Sequence, residues 1–215
     1  MERKLSRGRP REYDPEQALT AALGEFRRRG YTATSLDHLS EATDMARPSL
    51  YAAFGNKFEI YRRAVRQYAD ESAGRRNHAL FEEPSLRKGL EDYFAEIVAA
   101  YISGEGQPLG CPILSVISGE AAADPLIGAE LAAAVERTDV QFRRRMSMAV
   151  DAGEISGDAD TVGIAAMLAG LQHSLALRAR AGGTGPELSR IARSYITLVL
   201  KAAGYADHQG TVRPR

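Results

Sequence analysis

Between Asp14 and Asn56, helix starts and stops follow one another so closely that only short helices fit between them. Asp14-Pro15 supplies an N-cap followed by proline at the first helical position, where a missing N–H leaves nothing unsatisfied. Leu19, Ala22, Leu23 and Phe26 then make one apolar face, and Gly30 ends that helix. Thr34 and Ser35 cap a second helix carrying Leu36 and Leu39. Pro48 starts a third, which Gly55-Asn56 stops. Asn56 with Glu59 opens a fourth, whose face runs Ile60, Tyr61, Ala64, Val65 and Tyr68.

The second and third of these helices are joined by "ATDMA", residues 42–46, a link short enough to define a helix-turn-helix. Such a turn needs one residue at positive φ, where Asp or Asn is the tolerable substitute for glycine, and Asp44 sits at that place. In the third helix Leu50 and Phe54, four apart, face back toward the other helices. Arg47, Ser49, Tyr51 and Ala52 are left facing outward. Arginine pairs two ways with guanine, serine meets bases or phosphate, and alanine allows close approach to a thymine methyl. Thr34 and Ser35 at a helix start make a phosphate seat, and Lys57 can neutralise a further phosphate. Taken singly, Tyr51 reads equally as a core tyrosine and Arg47 as a solvated surface charge. The joint spacing of turn, short helix and following cap points to DNA.

The stretch from Gly8 to Tyr68, above all "GRPR", "GYTATSL" and "SLYAAFGNK", resembles the DNA-binding domain of the TetR/AcrR family of bacterial transcriptional regulators. The resemblance implies phosphate and base contacts at Thr34, Ser35, Arg47, Pro48, Ser49, Tyr51 and Lys57. Arg9 and Arg11 of the arm are expected to add phosphate attraction. Asp44 stands for the usual turn glycine, and Phe58 stands where Glu or Asp is common.

Beyond about Gly74 the helices lengthen. Ser85 caps one that carries Leu90, Phe94, Ile97, Val98 and Tyr101. After a loop and a short helix, Asp124-Pro125 opens a long helix, and Asp158 or Asp160 opens a small-residue helix. Pro186 opens the last, where Leu188, Ile191, Tyr195, Leu198 and Ala202 step by three and four. The expected fold is all-α, of about nine helices. Its parts are a basic arm (1–13), a three-helix helix-turn-helix DNA-binding domain (14–66), a helical effector-binding and dimerisation domain (67–204) and a loose tail (205–215).

Charge follows the same division. Residues 1–66 hold 13 Lys+Arg against 9 Asp+Glu, although the whole chain is balanced at 28 and 28. One cysteine excludes an internal disulfide and fits a reducing compartment. The N-terminus has no apolar signal-like run, and the longest apolar stretch, Val162 to Leu171, is far short of a membrane span. A cytoplasmic protein with no membrane partner is expected.

No catalytic grammar is visible. His38, His78, His173 and His208 are scattered without metal-ligand spacing, and no G-x-S-x-G elbow or phosphate loop occurs. No enzyme, metal or cofactor is expected. Phe94, Tyr101, Cys111, Met148, Met167, Leu171 and His173 are candidate lining residues of an effector pocket, each equally a candidate core residue. Cys111, before Pro112 at a helix start, lies in a segment similar to a Gly-Cys segment of part of the family, some of whose members use this cysteine in sensing electrophiles or oxidants. The alternative is a small buried residue. Small residues such as Ala165 and Ala169 allow close helix approach, and the family resemblance implies that they join Ile191, Tyr195 and Leu198 in a homodimer interface. The whole then reads as a dimeric, ligand-responsive regulator, most often a repressor, released from an inverted-repeat double-stranded operator by a small-molecule effector. The rivals are a co-regulator without DNA binding and a thiol-sensing repressor acting through Cys111.

Overall fold

A computed structural model describes residues 13–103 and 109–205. Arg9, Arg11 and the rest of the basic arm before Tyr13 lie outside the described residues, as does the tail beyond Tyr205. Nine α-helices occur among the described residues: α1 (Pro15–Arg29), α2 (Leu36–Thr43), α3 (Arg47–Phe54), α4 (Lys57–Asn77), α5 (Leu86–Ile102), α6 (Leu114–Ile117), α7 (Pro125–Asp151), α8 (Thr161–Arg180) and α9 (Gly185–Ala202). A π-type turn, His78–Glu82, follows α4 directly.

The helix ends obey local chemistry. Asp14 accepts from the Glu16 and Gln17 amides at the start of α1, and Gly30 ends it at φ 83°. Ser35 and His38 form a reciprocal capping box at α2, and Asn56 accepts from the Glu59 amide at α4. Each such cap satisfies a donor that the helix cannot satisfy itself, typically stabilising by about 1 kcal/mol.

Two apolar cores result. The first belongs to the head made by α1 to α4. Phe26, Leu39, Leu50, Ile60 and Tyr61 have no exposed surface there, and the rings of Phe26, Tyr31 and Tyr61 lie 5.3–5.8 Å apart. This core does not stop at α4. Val116, Ile117 and Ile127, from α6 and the start of α7, are buried in it. The second core is built on α5, α8 and α9 with the C-terminal half of α7, and within it Phe94 stacks on Phe142 while Tyr93 meets both edge-on. Arg145 is buried there with Glu154 as its counter-ion.

α8 is long and apolar enough to cross a bilayer by composition, with mean hydropathy 1.2. It nevertheless packs as a core helix, with Leu168, Leu171 and Leu175 buried against the second core. On α9 the inward residues are Leu188, Ala192, Ile196, Val199 and Leu200. The apolar positions Ile191, Tyr195 and Leu198 emerge on the flank and outer side, Leu198 being 66% exposed.

Candidate nucleic-acid interface

The turn between α2 and α3 is closed by Asp44 in the left-handed region (φ 52°, ψ 33°), as its place in "ATDMA" requires. The Met45 amide bonds to the Ser40 carbonyl (3.1 Å), so the chain reverses at once into Ala46 and Pro48. Leu50 and Phe54 then pin α3 to the head core. That anchoring leaves Arg47, Pro48, Ser49, Tyr51 and Ala52 exposed, with Tyr51 at 49%. The result is a short helix with a convex polar face, the shape that enters a major groove.

Arg47 forms an ion pair with Asp37, and both side chains are more than half exposed. Such a pair is worth about 0–1 kcal/mol, so a base edge can displace the carboxylate at small cost. Ser35 is exposed at the α2 start, beside the capping box.

Two expected contacts are engaged within the head. Thr34 is fully buried, and its hydroxyl donates to the Gly30 carbonyl at 2.7 Å, so it closes the α1–α2 turn instead of facing a phosphate. The Lys57 ammonium donates to the carbonyls of Tyr31 and Thr34, both at 3.0 Å, and lies 4.4 Å from the Tyr31 ring centroid. Burial holds its pKa below the ordinary lysine value, with Glu120 pulling the other way. Both engagements have one cause. The loop 30–35 folds back over the start of α4, and its free carbonyls need donors. Lys57→Ala is therefore expected to destabilise the head by about 1–3 kcal/mol without DNA present. Urea unfolding measures this, and an unchanged midpoint would return Lys57 to the role of a simple phosphate contact.

Behind the head, a cleft of about 680 Å³ runs between α4 and α7 to an inner wall of Tyr93, Tyr101 and Cys111. Of the expected lining residues, Tyr101, Cys111 and His173 are there. Phe94, Met148, Met167 and Leu171 are not. Phe94 and Leu171 are spent on the second core, Met148 sits half-buried along α7, and Met167 is 44% exposed on α8. Tyr68, Thr138, Gln141 and Gln172 line the cleft instead, and Gln172 accepts from the Tyr93 hydroxyl at 2.8 Å. Burial pushes the Tyr93 hydroxyl up to about 12, leaving it a neutral donor at neutral pH. Burial likewise lowers His173, which favours the uncharged imidazole.

The small residues of α8 divide differently from the expectation. Ala165 and Ala169 face their own subunit's core at 0% and 2% exposure and cannot meet a second chain. The exposed stripe of α8 is Val162, Ala166, Gly170 and Leu177, and on α9 Leu198 is exposed. Both stripes have helical period, and only the packing of α8 against α7 and α9 selects between them.

The sequence reading also missed the ties that join head and body. The Tyr61 hydroxyl donates to the Pro112 carbonyl (2.9 Å), and the Tyr31 amide donates to the Val116 carbonyl (3.2 Å). Buried Arg27 donates to the Ala100 and Gly110 carbonyls at 3.1 and 3.0 Å. Arg27, four residues after Leu23 on the apolar face of α1, was the available signal, hidden within the run Arg27-Arg28-Arg29. Gly110 stands at φ +67°, and an added Cβ would lie 2.5 Å from the Ser115 hydroxyl oxygen. Only glycine fits there, at the entry to Cys111.

Residues 18–64 match the family model of bacterial regulatory proteins of the tetR family, and residues 90–195 match that of a tetracyclin repressor-like C-terminal domain. The HTH-type transcriptional repressor ComR of Escherichia coli (strain K12) is 36% identical over 202 residues, covering 91% of this chain and 93% of ComR. The HTH-type transcriptional regulator YezE of Bacillus subtilis (strain 168) is 30% identical over 155 residues, or 70% and 77% of the two chains. Among solved structures, a cysteine mutant of the TetR family transcriptional regulator CifR, complexed with 26-base-pair operator DNA, superposes with a TM-score of 0.81. It is 29% identical, over 88% of this chain and 98% of that one. With the exposed α3 face, the Asp44 turn and both halves of the chain matched, this protein belongs to the TetR family: it is an all-α, helix-turn-helix, DNA-binding transcriptional regulator.

Proposed function

We propose that this regulator is a homodimeric repressor that binds an inverted-repeat operator and leaves it when a small molecule enters the cleft between α4 and α7. The observation that carries the reading is the polar face of α3, held outward by Leu50 and Phe54. Two copies paired through the exposed stripes of α8 and α9 present two such faces, as two half-sites require. The likeness to an operator-bound CifR supports the same arrangement.

Release follows from linkage. A ligand lowers DNA affinity only by binding better to a geometry that spaces the two α3 helices wrongly. The cleft is well placed for this. One wall is α4, which begins in the head, and its inner wall includes the segment Cys111–Leu114, which continues into head-core residues Val116 and Ile117.

Arg47→Ala tests the reading at α3. It is expected to relax base preference at one position of each half-site, at about 1–3 kcal/mol for a lost bidentate pair, while leaving the fold intact. Fluorescence anisotropy over a set of single-base operator variants measures this. A uniform loss over all variants would make Arg47 a phosphate contact. No loss at all would remove Arg47 from the interface, and the absence of binding by the wild type would favour the rival reading of a co-regulator without DNA binding.

A further inference from the structure

Among the described residues, Arg27 is a buried charge with no carboxylate beside it. Its side chain belongs to α1, is 93% buried by its 7% exposure, and crosses from the head into the body. Nη2 donates to two backbone carbonyls, those of Ala100 and Gly110, while Nε is buried with no hydrogen-bond partner. No described Asp or Glu pairs with it. Glu25, on the same helix, is taken by Arg28 and Arg29, and the neighbouring charge is Arg180, of like sign. The contrast with Arg145, equally buried and matched by Glu154, is direct. Burying an unmatched charge is among the costlier things a fold does, and burial lowers the pKa of Arg27 accordingly.

Its position gives the charge a use. The guanidinium carbon lies 5.8 Å from the centroid of Tyr68, which lines the cleft, and the Gly110 carbonyl it holds adjoins Cys111 on the same wall. The positive charge thus stands directly behind the inner wall, in a medium of low dielectric. The cleft itself is lined by five arginines against three carboxylates, so its own charge does not cancel the field. The inner wall supplies aromatic surface and tyrosine hydroxyls but no anion.

We infer that the cleft takes a small organic anion with an apolar, aromatic-sized body, oriented with its charge toward Arg27. This rests on the reading of the cleft as the effector site and adds the chemical class of the effector. Because Arg27 is part of α1, the anion's charge bears on the DNA-binding head itself.

Two fluorescent probes of one skeleton test this on the full chain: anilinonaphthalenesulfonate, which is anionic, and phenylnaphthylamine, which is the same body without the sulfonate. The wild type is expected to bind the sulfonate about tenfold more tightly than the amine, the size of one screened charge interaction at this range. Arg27→Gln is expected to erase that preference while leaving the amine's affinity within about twofold, and Arg27→Lys to keep the preference. Ala134→Trp, which fills the cleft, is expected to abolish binding of both. Equal binding of the two probes by the wild type, or a preference that survives Arg27→Gln, overturns the inference while leaving the cleft reading intact. Binding of neither probe, or binding indifferent to Ala134→Trp, overturns both. If Arg27→Gln does not fold, Arg62→Gln with Arg137→Gln separates the charges: the preference is expected to survive the loss of these two lining arginines, and its disappearance there overturns the inference.

Discussion

Leu177→Glu with Leu198→Glu is expected to give a folded monomer whose operator affinity is lower by about a thousandfold, the loss that follows when two linked half-site contacts become independent ones. Leu177 is 59% exposed and Leu198 66% exposed, so neither substitution disturbs the subunit's own core. In a dimer closed through α8 and α9 the same leucines become buried, each adding about 2 kcal/mol, and carboxylates in their place meet apolar surface without counter-ions. The C2 pairing doubles the effect, since every contact occurs twice. Light scattering coupled to size exclusion reads the mass, and anisotropy reads the affinity. A double variant that remains dimeric places the interface elsewhere, and a monomer that binds the operator as well as wild type removes the need for two copies.

Operator affinity is also expected to fall about a thousandfold between roughly 50 and 200 mM salt, because each neutralised phosphate releases condensed counterions. The donors that produce this slope are not all those the sequence suggested. Lys57 is engaged by the Tyr31 and Thr34 carbonyls, which leaves Arg47 and the cations of the basic arm, while Ser35 and the helix-start amides bind phosphate without adding charge. The slope should accordingly sit at the shallow end for a dimeric helix-turn-helix protein, and Lys57→Ala should leave it nearly unchanged while lowering stability. A steep slope that loses about one unit in Lys57→Ala would show that the ammonium swings out to phosphate on binding.

Where the sequence was legible, the rules were local. Pro48 as a helix start, Asp44 as the left-handed turn residue and Leu50 with Phe54 as the anchors each depend on neighbours within a few positions, and each stands where the pattern put it. The long-range donors were not legible. Lys57 finds carbonyls more than twenty residues away, and Arg27 finds carbonyls from α5 and from the loop before Cys111. Nothing in a period of 3.6 residues announces which free carbonyl a cation will meet. The same limit explains α8, where two stripes of small residues fit helix contact equally well and the tertiary packing took Ala165 and Ala169 inward. It also explains the cleft: Tyr101 and His173 line it, whereas Phe94 packs against Tyr93 and Phe142 in the second core.

The most direct test of α3 as the reading element is methylation interference on a duplex selected by this protein from a random pool. Insertion of α3 into the major groove predicts that methylating guanine N7, which faces that groove, blocks binding at symmetric positions in two half-sites, while methylating adenine N3 in the minor groove between them has little effect. Interference confined to the minor groove, or lacking two-fold symmetry, would contradict it.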